Sequence, residues 1–126
     1  MLRNMVREFA INEIKPLAQK IDDQGLFPEE SIKKMAELGL MGIPWDTKYG
    51  GGNMDTLSLV IAIEEIGKVC ASTAATMMAH TSLGTAPIAM FGTEEQKEKY
   101  LPGLASGEKI GSFGLTEPNA GSDAGN

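Results

Sequence analysis

Apolar residues recur at three- and four-residue steps through most of this chain, which is the spacing of amphipathic helices. The first such stretch runs from Leu2 to about Ile21 and carries charged residues at its other positions. Pro16 should bend or divide this helix, because proline lacks an amide hydrogen and its ring crowds the preceding turn. Gly25 suits a left-handed cap at the end. The chain therefore opens with a long helix that a proline interrupts.

Five further helical pieces are predicted from the same spacing and from residues typical of helix ends. Ser72 should cap one piece, Gly84 should break the helix after it, and Thr93 with Gln96 forms the pattern of a capping box. A glycine-rich loop over residues 39–55 should separate Glu29–Leu38 from Leu57–Val69. The predicted pieces are Glu29–Leu38, Leu57–Val69, Ser72 to about Leu83, Ala86–Phe91 and Thr93 to about Pro102.

Residues typical of a β-strand begin only at Lys109. Small and alternating apolar residues run from Gly111 to Leu115, and Pro118 with Asn119 is typical of a turn. We therefore predict an all-α fold, an orthogonal or up-down bundle of about six helices, followed by one C-terminal β-strand. A single strand has no sheet to join within this sequence, so we expect it to begin a β-domain that is otherwise missing.

Composition excludes several classes of function. The net charge of −6 and a pI near 4.7 argue against a nucleic-acid partner, which needs a basic face. One cysteine and one histidine leave no disulfide framework and no zinc site, so we predict no metal. The uncharged stretch over residues 69–93 is long enough for a bilayer, but it holds many hydroxyl side chains and is broken by Gly84 and Pro87. We therefore predict no membrane insertion.

The segment from Phe113 to Ser122 combines hydroxyl groups with glycine and alanine residues, whose small side chains leave the backbone accessible. This combination suits a flat, phosphate-bearing ligand. It resembles the first signature motif of the acyl-CoA dehydrogenases, flavoenzymes that oxidise the Cα–Cβ bond of acyl thioesters. Three upstream motifs resemble the same family in the same order: Tyr49-Gly50-Gly51-Gly52, Phe91-Gly92-Thr93-Glu94-Glu95-Gln96 and Leu104-Ala105-Ser106-Gly107-Glu108-Lys109. Residues 1–108 are similar to the N-terminal helical domain of a short-chain, butyryl-CoA dehydrogenase-like member, and residues 109–126 to the first strand and cofactor loop of a truncated β-domain.

This resemblance implies that the final motif lies along an FAD cofactor. Thr116 would place its hydroxyl and amide near the reactive N5 edge of the flavin, and Ser122 would contact both substrate and cofactor. Asn119 stands where the family often has glycine, but asparagine also tolerates left-handed geometry. Without the resemblance, the motif is also compatible with an edge strand that ends in a Pro-Asn turn. The implied cofactor residues are Phe113, Gly114, Leu115, Thr116, Glu117, Pro118, Asn119, Ala120, Gly121 and Ser122.

A stripe of mostly small residues on the fourth predicted helix is the second candidate site. The stripe consists of Ala75, Thr76, Ala79 and Leu83, with His80 on or near it at helical spacing. In the family, a helix at this point lines the cavity for the acyl tail, so the resemblance implies substrate binding by these four residues and by Ser122. Core packing between helices is an equally good reading of any single position. We assign no role to His80, since a lone histidine is more often a hydrogen-bonded interior residue.

No catalytic residue is predicted within this chain. The family's catalytic base is a carboxylate of the C-terminal helical domain, which this sequence lacks, and Glu117 more reasonably fixes its own turn. Glu64 and Glu65 are adjacent, but neighbours on a helix point about 100° apart and cannot share a proton. We interpret them as a solvated or salt-bridged pair.

The complete enzyme implied by the resemblance oxidises acyl-CoA to 2-enoyl-CoA with FAD. It would remove one hydrogen as a proton and the other as hydride, pass electrons to an electron-transfer flavoprotein, and assemble as a homotetramer. Its location would be the bacterial cytoplasm, or the mitochondrial matrix if a transit peptide has been removed. These 126 residues alone should show little or no turnover. The alternatives are a non-enzymatic helical interaction module, or a relative of the acyl-CoA oxidases and nitroalkane oxidases.

Overall fold

The computed structural model describes residues 1–125, and most of them are helical. Two pairs of α-helices are joined by π-helical turns, so the described residues form five continuous helical regions. The predicted all-α bundle is confirmed, although the number of continuous regions is five rather than six. The α-helices are α1 (Leu2–Phe9), α2 (Lys15–Gln24), α3 (Glu29–Glu37), α4 (Thr56–Gly67), α5 (Ala71–Met78), α6 (Ala86–Phe91) and α7 (Glu94–Ala105). Short 3₁₀ turns at Leu40–Gly42 and Thr47–Tyr49 lie in the loop between α3 and α4.

Each π-helical turn comes directly before a proline-bearing helix. Ala10–Ile14 joins α1 to α2, and Ala79–Thr85 joins α5 to α6. The second residue of the following helix is Pro16 in one case and Pro87 in the other. Proline cannot donate a hydrogen bond to the preceding turn and its ring needs space there, and a wider turn supplies that space. The predicted interruption at Pro16 is therefore a change of helix type without a break.

Two predicted helix boundaries are wrong. Gly84 does not break the helix, because it lies inside the second π-helical turn and the backbone stays helical through Phe91. Ser72 is not a cap: α5 begins at Ala71, after Cys70, and no side chain caps it. At Gly84 the missing side chain serves a close packing contact that the local sequence does not reveal.

The helix that follows the capping box starts as predicted but ends later. The amide of Gln96 donates to the hydroxyl of Thr93 at 3.2 Å, and the amide of Thr93 donates to the side-chain oxygen of Gln96 at 2.8 Å. This helix, α7, continues through Pro102 to Ala105. Its end is set by Gly107, whose φ of +76° is the left-handed conformation that favours glycine.

The predicted strand from Gly111 to Leu115 is not present. Residues 110–116 have no regular secondary structure, and the described residues contain no strand beyond one isolated antiparallel bridge between Glu117 and Ala120. A strand is defined by its pairing, and no second strand lies beside this segment among residues 1–125. Asn126, which the prediction for residues 109–126 included, lies outside the described residues.

The apolar core lies where α4 packs against α1 and α5. Its buried side chains come from α1 and the π-helical turn after it, from α3 and the 3₁₀ turn that follows, and from α4 and α5. This core fixes the orientation of the helix that carries the candidate substrate stripe. Fully buried members include Val6, Ala10, Ile14, Met35, Leu40, Met41, Ala62, Ile66 and Met77.

Candidate functional site

The predicted cofactor segment is an exposed stretch closed by a tight turn. The amide of Glu117 donates to the carbonyl of Ala120 at 2.7 Å, and the amide of Ala120 donates back at 3.3 Å, with Pro118 and Asn119 between them. This confirms the predicted Pro-Asn turn and gives Glu117 a role in it through its backbone. Ala120 and Gly121 are half-buried, and the exposed members are Phe113, Gly114, Leu115, Thr116, Glu117, Pro118, Asn119 and Ser122.

The two apolar side chains of this segment are open to solvent. Phe113 is 55% exposed and Leu115 is 52% exposed. The alternation expected of a half-buried strand is therefore absent, because nothing within the described residues covers either face. Thr116 approaches the turn instead: a Cβ added at Gly121 would lie 3.4 Å from the methyl carbon of Thr116. Thr116, Phe113 and Leu115 are therefore all exposed in the described part of the chain.

The small-residue stripe on α5 and the following π-helical turn also faces outward. Ala75 and Leu83 are exposed, and Thr76 and Ala79 are half-buried. Core packing therefore does not account for Ala75 and Leu83 in the described part of the chain. The opposite face carries the core residues, including Thr73, Ala74 and Met77.

His80 does not belong to this stripe, which corrects the sequence-based grouping. The histidine is fully buried, on the inner side of the helix. Its Nε2 lies 3.1 Å from the carbonyl oxygen of Leu104, and its Nδ1 lies 2.9 Å from the amide nitrogen of Gly111. Burial lowers the pKa of His80 below its ordinary value, because the charged ring would lose its hydration. The expectation of a hydrogen-bonded interior histidine is confirmed.

A glycine–glycine contact lies next to both candidate sites, since Gly84 follows Leu83 and Gly111 lies two residues before Phe113. A Cβ added at Gly84 would lie 2.4 Å from the carbonyl carbon and 2.6 Å from the Cα of Gly111. The backbone that leads into the cofactor segment therefore crosses the helix one residue beyond Leu83, the last residue of the stripe. No shared motif links positions 84 and 111 in the sequence, but an isolated glycine within a helix pattern is itself a sign of close packing.

An ion-pair cluster on α1 and α4 lies away from these sites. Glu65 is buried and accepts hydrogen bonds from Arg3, Arg7 and Lys68, with the Arg7 Nε–Oε2 distance at 2.9 Å. Arg3 and Lys68 also pair with the exposed Glu64. The salt-bridged reading of the two glutamates is confirmed, and the buried position of Glu65 was not predicted.

A well-formed groove lies elsewhere in the described residues. It has a volume of about 600 Å³ and runs between α3 and the loop after α7, lined in part by Phe27, Ile32 and Ile110. It contains no residue of the substrate stripe. Within residues 1–125, no cluster of three or more histidine, cysteine or acidic side chains could hold a metal ion. In the same residues, no helix is long and apolar enough to cross a bilayer.

Residues 1–108 match the family described as acyl-CoA dehydrogenase, N-terminal domain. A short-chain specific acyl-CoA dehydrogenase from Clostridium acetobutylicum is 57% identical over 99% of this chain and 33% of its own length. The mitochondrial short-chain specific acyl-CoA dehydrogenase from Bos taurus is 46% identical over 99% of this chain and 30% of its own length.

Solved structures give the same result. The butyryl-CoA dehydrogenase from Megasphaera elsdenii superposes with a TM-score of 0.91 at 41% identity, covering 98% of this chain and 33% of that one. An acyl-CoA dehydrogenase from Bacillus anthracis, solved in complex with FAD, gives a TM-score of 0.90 at 39% identity, covering 98% of this chain and 21% of that one. The chain thus spans about a third of the length of the curated relatives that it matches. The helical bundle and the sequence match agree, and the chain belongs to the acyl-CoA dehydrogenase family.

Proposed function

We propose that this chain supplies one wall of the active-site cleft of an FAD-dependent acyl-CoA dehydrogenase that converts short acyl-CoA thioesters to 2-enoyl-CoA. The observation that supports the proposal is the close contact between Gly84, the residue after Leu83, and Gly111, which lies two residues before Phe113. A dehydrogenase needs this arrangement, because the flavin and the acyl chain must lie against each other for the reaction to occur.

The residues of the cofactor segment fit an FAD. The hydroxyls of Thr116 and Ser122 are exposed, and glycine and alanine keep the neighbouring backbone within reach of a flat ring system. Phe113 and Leu115 offer exposed apolar surface that a ring could cover. When bound, the flavin accepts a hydride from the substrate. The contribution of this chain is to hold the ring edge through Thr116 and to leave room for the thioester beside it.

The substrate stripe supplies space for a short acyl chain. Ala75 and Ala79 project only methyl groups, and Thr76 uses its hydroxyl within the helix, where it donates to the carbonyl of Ser72 at 2.9 Å. An acyl tail against this face would therefore meet carbon and no free polar group from Thr76. Leu83 lies at the end of the stripe, next to the cofactor segment, and Ser122 would contact the substrate from the other side. The proton would be taken by a base outside these residues.

Domain organisation, assembly and location are part of the same proposal. Residues 1–108 form the N-terminal helical domain, and residues 109–126 open the β-domain that holds most of the FAD. The complete enzyme is a homotetramer that passes its electrons to an electron-transfer flavoprotein. We place it in the bacterial cytoplasm, with the mitochondrial matrix as the alternative, since the relatives include both bacterial and mitochondrial proteins.

The test uses a longer protein that contains this chain followed by the rest of an acyl-CoA dehydrogenase sequence. It should purify yellow, and butyryl-CoA should bleach its flavin absorbance under anaerobic conditions. A colourless protein would contradict the cofactor, and a yellow protein that neither butyryl- nor hexanoyl-CoA bleaches would contradict the reaction.

Thr116→Val in that longer protein tests the cofactor segment specifically. We expect the rate of flavin reduction to fall by about five- to twelvefold, because one hydrogen bond to a polar partner contributes about 1–1.5 kcal/mol. Thr56→Val, at an exposed threonine in the first turn of α4, is the matched control and should leave the rate unchanged. Equal rates in the Thr116 variant and the parent would remove Thr116 from the site.

A further inference from the structure

His80 connects the helical core to the cofactor segment through both nitrogens of its ring. The carbonyl of Leu104 can only accept a hydrogen bond and the amide of Gly111 can only donate one. Nε2 must therefore carry the ring hydrogen and donate to Leu104 at 3.1 Å, while Nδ1 accepts from Gly111 at 2.9 Å. The two contacts are satisfied together only by the neutral ring in this single tautomer.

The backbone around His80 is itself held in place. Its carbonyl accepts a hydrogen bond from the hydroxyl of Thr85 at 2.8 Å, across the π-helical turn. The same turn packs Gly84 against the backbone of Gly111. Gly111 therefore has two contacts with this turn, the hydrogen bond from its amide to His80 and the close packing at its Cα. The histidine is fully buried, and its ring has no rotational freedom without losing one of the two bonds.

We infer that His80 is a positioning residue for the cofactor segment: by holding the amide of Gly111, it fixes where residues 113–116 begin relative to the substrate stripe. Gly111 precedes Phe113 by two residues and Thr116 by five, so a shift at Gly111 is carried directly to both. The inference rests on the proposed function for its effect on flavin, whereas the hold on Gly111 is independent of that function.

Two conservative variants separate the two ring contacts. In His80→Asn, the side-chain oxygen stands close to the position of Nδ1 and can still accept from Gly111. In His80→Gln, the side-chain amide stands close to the position of Nε2, keeps the bond to Leu104 and loses the acceptor. Amide hydrogen exchange of this 126-residue chain, followed by NMR, reports each contact, with the core amides of Ala62 and Leu101 as reporters of global opening.

We expect exchange of the Gly111 amide to be at least ten times faster in His80→Gln than in the parent, and within about threefold of the parent in His80→Asn. Unchanged exchange at Gly111 in His80→Gln would overturn the inference. It would also be overturned if both variants accelerated Gly111, Ala62 and Leu101 equally, because His80 would then act only on folding. Should neither variant fold, the ¹⁵N spectrum of the parent decides: protonated Nε2 supports the inference, and protonated Nδ1 overturns it.

The consequence for the cofactor is measured in the longer protein. We expect the Kd for FAD to rise about tenfold in His80→Gln and to stay within threefold of the parent in His80→Asn. Fast Gly111 exchange with an unchanged Kd for FAD in a yellow protein would overturn the positioning role and leave the proposed function intact. A colourless parent would instead contradict the proposed function, and the exchange experiment would still decide whether His80 holds Gly111.

Discussion

Glu65 shows how much a single buried carboxylate depends on its partners. The Arg7 guanidinium, with Lys68 and Arg3 beside it, holds the pKa of the Glu65 carboxyl well below its usual range. Removing the charge would leave a buried neutral group beside three partly exposed cations that have lost their common partner, and loss of one partner of a buried carboxylate's ion pairs is destabilising. We expect Glu65→Gln to lower Tm by roughly 5 °C or more at pH 7, measured by thermal unfolding.

The contribution of Glu65 to stability should depend on pH, in a direction set by its lowered pKa. Because the pKa of Glu65 is lower in the folded chain than in the unfolded chain, its stabilising contribution is complete above the ordinary glutamate pKa of about 4.3 and is lost as pH falls below it. The difference in Tm between parent and variant should therefore shrink from pH 5 to pH 3. Glu64→Gln is the control, since Glu64 is exposed and should cost less than Glu65. Equal losses in the two variants would contradict this account.

Gly84 tests the packing contact between the two candidate sites. Alanine is favoured over glycine within a helix by about 1 kcal/mol, but a Cβ at this position would meet the backbone of Gly111 at 2.4 Å. Backbone cannot move aside as a flexible side chain would, so we expect Gly84→Ala to destabilise the chain by about 1–3 kcal/mol in urea unfolding.

Gly67→Ala is the matched control for this contact. Gly67 is the last residue of α4, and its added Cβ would meet Ala74 at an ordinary 3.5 Å. The free energy of unfolding of the Gly67→Ala variant should equal that of the parent or exceed it by up to about 1 kcal/mol. A Gly84 variant as stable as the Gly67 variant would show that the glycine–glycine contact does not constrain the fold.

At the scale of the helices, the capping box gives the sharpest local prediction. Thr93 satisfies the amide of Gln96 at the start of α7, and Gln96 satisfies the amide of Thr93 in return. Replacing the cap by alanine leaves an amide without this partner, so we expect Thr93→Ala to lower the free energy of unfolding by about 1 kcal/mol. Thr56→Ala, at a threonine with no capping bond, is the control, and a loss of similar size there would contradict the assignment.

The helices could be predicted from apolar spacing and capping residues. The packing contact of Gly84 and the π-helical turns before Pro16 and Pro87 could not. The capping box and the cap at Gly25 were correct because their bonds lie within a few residues. Gly84 was misread as a break because its partner, Gly111, is distant in sequence. The strand after Lys109 was misread because alternation indicates a strand only where another strand pairs with it. His80 was given no role because its two partners, Leu104 and Gly111, come from other segments.

At the scale of the whole molecule, residues 1–125 leave large apolar side chains uncovered. Phe91 is 83% exposed, Met90 is 67% exposed and Leu57 is 64% exposed. Where large apolar side chains form a contiguous exposed patch, the patch is often a site at which further protein packs. The relatives, three times as long, have the additional chain that could provide this cover. These side chains are open to solvent in residues 1–125 taken alone.

We expect the isolated chain to associate with itself as its concentration rises. Sedimentation velocity should give a mass close to 13.4 kDa at low micromolar concentration and a larger average mass at roughly a hundred times that concentration. Phe91→Ser should weaken this association, because it removes the most exposed aromatic side chain from the end of α6 without touching the core. Lys99→Ser, which changes an exposed residue without removing apolar surface, should leave it as in the parent. A chain that stays monomeric throughout would mean that its uncovered apolar side chains are too dispersed to act as one surface, which would also weaken the case that further protein covers them.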